Sequence, residues 1–97
     1  MNEMMKKKLS PGLQKMIEQQ TLPDPVSVIV QLQAEGEQEA RLSDQDRQMV
    51  ENVGGTVLDD LWIIKGFSAD VPAKALEMIV LSPRVAHVHH NNDMTGD

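Results

Sequence analysis

The chain has 97 residues, a formal net charge of −6 and no cysteine. This length fits one small domain, and the acidic balance argues against nucleic-acid binding, which needs a basic surface. The absence of cysteine excludes disulfides, thiol chemistry and zinc–thiolate sites. No apolar stretch typical of a signal peptide follows the basic run at residues 6–8, and no segment approaches the ~20 apolar residues of a membrane helix. We therefore expect a soluble protein, with any export signal lying outside these residues.

Residues 1–25 differ in pattern from the rest of the chain. Ser10 can cap a short helix that has Pro11 at its first position. The apolar residues of this helix fall on one stripe, at Leu13, Met16 and Ile17. Residues 21–25 contain two prolines, which exclude both helix and central strand. We predict a loosely attached N-terminal arm with a short helix and a Pro-rich linker.

The compact domain, residues 26–90, begins with an alternating segment. Its apolar face is predicted to consist of Val26, Val28, Val30 and Leu32. A polar connection follows, and Ser43 with Asp46 three residues later resembles a capping box. The helix that it starts would turn Met49, Val50 and Val53 inward. Gly54-Gly55 should end this helix, because glycine accepts the positive φ required there.

The second half of the domain repeats strand and helix signals. We predict a strand over 56–58, a turn at Asp59-Asp60 and a second strand over 61–71, kinked at Gly66. Pro72 suits the first turn of a helix, and Ser82-Pro83 stops it. The buried positions of that helix would be Leu76, Ile79 and Val80. A last strand covers 85–88.

The order strand, helix, strand, strand, helix, strand predicts an α+β fold. The expected arrangement is a ferredoxin-like βαββαβ sandwich, with a four-stranded antiparallel sheet and two helices on one face. The core between sheet and helices is predicted to contain Val28, Val30, Phe67, Ala69, Leu76 and Ile79.

The ordered set of signals over residues 26–97 resembles the propeptide, or inhibitor domain, of subtilisin-like serine proteases. The residues that carry this resemblance are Val26 to Leu32, Gly54-Gly55, Val57, Leu61 to Ile64, Gly66 to Ala69, Pro72 to Leu81, Pro83, Val85 and Val88. The resemblance implies an intramolecular chaperone and active-site inhibitor, acting on a subtilisin-like protease in cis or in trans. It implies no cofactor and no enzymatic activity. A pro-region of an exported protease would be extracellular, and a complete chain of this sequence cytoplasmic.

The resemblance also implies which residues meet the protease. The tail, residues 91–97, would run along the substrate cleft as an added strand, which is β-augmentation. The cleft residues would be Asp93, Met94, Thr95, Gly96 and Asp97. By spacing from Val88, Asp97 falls close to the residue before the cleavage bond and Met94 at an apolar pocket. His89, His90 and Asn91 stand where the family commonly has acidic residues that cap protease helices.

The open face of the sheet is the other predicted contact. If helices cover the face of Val28 and Val30, then Ile29, Trp62 and Ile64 point away from the core. Apolar residues on an otherwise polar open face are typical of a docking surface. Alternatively, the kink at Gly66 shifts the phase of the strand and buries Trp62.

Other chemistry has little support in the sequence. His87 and His89 lie on the same side of a strand and could share an ion, but only Asp93 is near enough to add a ligand, so we expect a solvated histidine cluster and no metal. The serines lack the Gly-x-Ser-x-Gly elbow of hydrolases, so we expect no catalytic residues. The alternative function is a small regulatory or ligand-binding ferredoxin-like module that dimerises through its sheet.

Overall fold

The computed structural model describes residues 3–91. Its helices are α1 (Glu3–Lys8), α2 (Pro11–Glu18), α3 (Asp44–Asn52) and α4 (Leu76–Val80). Its strands are β1 (Val26–Leu32), β2 (Thr56–Leu61), β3 (Gly66–Val71) and β4 (Val85–His90). Short 3-10 turns cover Trp62–Ile64 and Ala73–Ala75. Within the described residues, no helix combines the length and the apolar character needed to cross a membrane.

The four strands form one antiparallel sheet in the order β2-β3-β1-β4. Helix α3 connects β1 to β2, and α4 precedes β4. The α+β class and the four-stranded antiparallel sheet are therefore confirmed. Strands β2 and β4 form the two edges of the sheet.

The core lies between one face of the sheet and the helices. All six predicted core residues belong to it, and each is at most 2% exposed. In the part of the chain that the structure describes, the buried cluster contains Leu9, Leu13, Val26, Val28, Val30, Leu32, Val50, Phe67, Ala69, Val71, Leu76, Ile79, Val80, Val85 and Val88. The prediction is confirmed for β1 because every second residue from Val26 to Leu32 is apolar, and residues two apart in a strand face the same side.

The predicted start of α2 and both predicted ends of α3 are confirmed, and side-chain caps and backbone geometry explain them. The Ser43 hydroxyl accepts from the Asp46 backbone N–H, and the Asp46 carboxylate accepts from the Ser43 N–H, which is a complete capping box. Gly54 has a φ of +88°, the left-handed conformation that ends α3. Ser10 caps α2 with Pro11 at its start.

Two predictions about the arrangement of the backbone are wrong. Asp59 and Asp60 lie within β2, and the chain reverses instead at Trp62–Lys65. The second is the loosely attached arm, because Leu13 is fully buried and Leu9 is 4% exposed in the core.

Candidate functional site

The turn between β2 and β3 presents the largest exposed apolar side chains of the sheet. Trp62 is 65% exposed and Ile63 is 78% exposed. Lys65, with a φ of +60°, closes the turn by donating its N–H to the Trp62 carbonyl at 3.1 Å. Its own carbonyl accepts from the Leu32 N–H at 2.8 Å. The turn is therefore fixed to the end of β1 while its apolar side chains face outward.

An apolar depression of about 370 Å³ lies beside this turn. Its lining residues are Ile29, Asp60, Leu61, Trp62, Ile63 and Ile64. Ile29 belongs to the open face of the sheet, because it pairs with Ser68 of β3 and His89 of β4, between the inward-facing Val28 and Val30. The open face and the exposed turn are therefore continuous.

A second cleft, of about 670 Å³, also has Trp62 in its lining. Its other residues are Lys65 of the same turn and, from the connection between β1 and α3, Ala34, Glu39, Ala40 and Arg41. Trp62 thus borders two concave surfaces. The lining of the larger cleft also contains charged side chains of both signs, from Glu39, Arg41 and Lys65.

A buried arginine holds the connection that lines the larger cleft. Arg84 is 7% exposed and donates from Nη1 to the carbonyls of Gln33 and Glu39, at 3.0 and 2.6 Å. Its Nη2 donates to the Arg41 carbonyl at 2.8 Å and to Asp46 Oδ2 at 3.0 Å. Since Asp46 also caps α3, this one ion pair joins the start of β4, the connection and the helix.

Sequence reasoning missed Arg84, because arginine is seldom buried. The available signal was its position directly after the Ser82-Pro83 stop and before a buried strand. Each carbonyl that Arg84 binds lies in the polar segment 33–41, which has few hydrogen bonds of regular structure. The buried Arg84 side chain therefore holds the segment that lines the larger cleft in place.

The predicted docking residues have different environments. Trp62 is exposed as expected, and Ile64 is half-buried. Ile29 lies on the open face, but the expectation that it is exposed is wrong, because only 5% of it is accessible. It forms part of the depression beside Trp62 and does not protrude from the sheet.

The last strand is longer than the predicted 85–88. Strand β4 extends to His90, so His89 and His90 lie within it. His89 is on the open face, with its Nε2 2.8 Å from the Gln31 side-chain oxygen. His90 pairs with Val28 and so lies on the helix-covered side, whereas Asn91 is exposed. The predicted cleft residues Asp93, Met94, Thr95, Gly96 and Asp97 lie outside the described residues.

The histidines offer limited metal-binding capacity. The rings of His87 and His89 have centroids 6.2 Å apart, and both residues lie on the open face. Among residues 3–91, no group of three or more metal-ligating side chains comes together.

No family model, curated protein or solved structure matches the chain. The surface itself therefore carries the functional inference. Two exposed apolar side chains on an anchored turn, next to an apolar depression, suit the binding of a complementary protein surface.

Proposed function

We propose that the chain is the propeptide of a subtilisin-like serine protease, or a free-standing inhibitor of the same type, and is not itself an enzyme. The observation that carries this proposal is the anchored turn with Trp62 and Ile63 exposed beside the open sheet face. An isolated acidic domain gains nothing in stability from such exposure, whereas a partner that covers it gains apolar burial.

We also propose that the fold is a ferredoxin-like sandwich. The strand order β2-β3-β1-β4, with one helix in each of the two connections that follow β1 and β3, supports a ferredoxin-like sandwich. That arrangement leaves one sheet face free of helices. The free face is the surface that the proposed protease would cover.

The tail supplies the second contact in this proposal. His90 pairs with Val28, whereas Gly66, at the end of the turn, pairs with Gln31. The end of β4, where the tail begins, therefore lies about 10 Å nearer the start of β1 than the turn does, from three residues at roughly 3.3 Å each. A protease that contacts both would lie across the open face, with residues 93–97 in its cleft as an added strand. During folding, the same preformed surface would serve as a template for the protease.

The docking surface is tested with one variant and one matched control. Trp62→Asp should keep the melting temperature of the wild type and weaken inhibition of a broad-specificity subtilisin by about tenfold or more, since buried aromatic anchors dominate interfaces. Met78→Asp, at a position that is 62% exposed on α4, should leave inhibition unchanged. Equal inhibition by the two variants would contradict a docking role for Trp62.

The alternative is a regulatory or ligand-binding ferredoxin-like module. The apolar depression beside Trp62 favours it, since about 370 Å³ is within the size range of small-molecule sites. This alternative predicts no inhibition of any subtilisin, and dimerisation through the open face. Inhibition assays and the measured oligomeric state therefore distinguish the two functions.

A further inference from the structure

The N-terminal arm, residues 3–22, pairs with the edge of the sheet. Leu9 forms a parallel bridge with Val88 of β4, and the Ser10 N–H donates to the Val88 carbonyl at 2.9 Å. Strand β4 is an edge strand, and unpaired edge groups are a liability for a small sheet. The arm thus covers the edge at Val88, two residues before β4 ends.

Ser10 both pairs with β4 and starts helix α2. Ser10, which pairs with Val88 through its backbone, also caps α2 by accepting the Leu13 N–H on its hydroxyl at 3.3 Å. Gln14 Nε2 donates to the carbonyls of Leu9 and Lys6, at 2.8 and 3.0 Å. The Gln14 amide is therefore a donor for carbonyls at the end of α1, which have no partner within the helix. The positions of α1 and α2 relative to β4 are therefore fixed by hydrogen bonds.

Apolar burial attaches the arm to the core. Leu13 is fully buried and Leu9 is 4% exposed, and both belong to the main hydrophobic cluster. Met5, Met16 and Ile17 are partly buried against that cluster. Lys8 Nζ also donates to the Ser82 carbonyl at 3.1 Å, which ties α1 to the turn before β4. The arm completes the core on the side of the strand that leads into the tail.

We infer that the arm is the element that allows this domain to fold without a protease, and hence to inhibit one in trans as a free-standing inhibitor. This inference rests on the proposed function. A domain of this size is marginally stable, so the two buried leucines and the covered edge form a large part of its stability. Because the arm holds β4, it also keeps the start of the tail in its native position before any partner binds.

The test uses three full-length variants and no protease in its first stage. Leu13→Asn should lower the melting temperature of the isolated chain by about 10 °C or more, because it places an amide in the core and leaves a cavity. Leu13→Met should restore most of that loss. Lys15→Asn, at an exposed position of the same helix, is the matched control and should melt close to the wild type.

The second stage measures inhibition of a separately purified broad-specificity subtilisin at two temperatures. At a temperature below the melting midpoint of Leu13→Asn, this variant should inhibit like the wild type. At a temperature between its midpoint and that of the wild type, it should lose inhibition in proportion to its unfolded fraction, whereas Lys15→Asn should keep it.

The same melting temperature for Leu13→Asn and Lys15→Asn would overturn the role of the arm and leave the proposed function intact. A wild-type chain that melts cooperatively only after protease is added would overturn action in trans. A folded wild type that inhibits at neither temperature would overturn the proposed function itself.

Discussion

Arg84 connects three parts of the molecule: the start of β4, the β1–α3 connection and helix α3. It is buried with Asp46 and binds three backbone carbonyls of the connection that lines the larger cleft. Arg84→Met should destabilise the fold by about 3–5 kcal/mol, because Asp46 would be left as an uncompensated buried charge. The measurement is the urea midpoint of unfolding. Arg47→Met, at an exposed position of α3, is the control, and a midpoint shared by the two variants would refute this role.

Ile29 should respond to substitution as a core residue, although it lies on the open face. It is 5% exposed, so Ile29→Asp would bury a carboxylate without a compensating charge. We expect loss of the cooperative melt by circular dichroism, in contrast to Trp62→Asp. A native melt for Ile29→Asp would mean that the depression is open enough to hydrate the new carboxylate.

Residue-scale burial was predictable from the sequence only for apolar side chains at regular spacing, either alternating along a strand or recurring at helical intervals. Val28 and Val30 could be assigned to the core because β1 alternates, and the alternation implied the opposite face for Ile29. The burial of Ile29 depends on the turn at 62–64, which is more than 30 residues away in the sequence. The partners of Arg84 come from three separate segments, and no local pattern in the sequence links them.

The β2–β3 hairpin is the element that the sequence analysis described least well. Asp59-Asp60 is a good turn pair, yet both residues lie in β2, at the exposed edge of the sheet where charged side chains are tolerated. The actual turn contains Trp62, Ile63 and Ile64, and its left-handed position is occupied by Lys65 instead of glycine or asparagine. Apolar turn residues have no turn signature, so tertiary pairing overrode local propensity.

Gly66 fixes the register of this hairpin, which makes a direct prediction. A Cβ at this position would collide with the Val30 carbonyl oxygen, at the point where β3 begins its pairing with β1. Gly66→Ala should therefore destabilise the protein by more than Gly36→Ala. Gly36 has a φ of +61° but open space around its Cβ position, so only conformational strain of about 1 kcal/mol is expected there. Urea midpoints that rank the two variants in the opposite order would contradict the close approach.

At the scale of the whole molecule, the sequence indicated the class and the order of the elements between residues 26 and 90. It did not indicate how residues 3–22 are arranged, because two-turn helices carry too little propensity to reveal where they dock. The apolar stripe at Leu13, Met16 and Ile17 was visible, but its partner, the edge of β4, was not. The docked arm packs against the core and β4 and leaves the open face uncovered.

Removing the tail should separate folding from inhibition. Among residues 3–91, the core contains none after Val88, and we expect deletion of residues 91–97 to leave the melting curve close to that of the wild type. Met94→Asp should weaken inhibition less than the deletion, by about 1–3 kcal/mol for the lost apolar burial plus the desolvation of a carboxylate. A large drop in melting temperature on deletion would show that the tail belongs to the folded body.

We propose that this domain inhibits a subtilisin-like protease through its tail, and the decisive measurement is the inhibition constant. The full-length chain and the chain lacking residues 91–97 are compared against a broad-specificity subtilisin, with Met78→Asp as a control for surface substitution. We expect competitive inhibition by the full-length chain, and loss of that competition with residual binding by the truncated chain. Equal inhibition by both chains, or inhibition by neither, would contradict the claim.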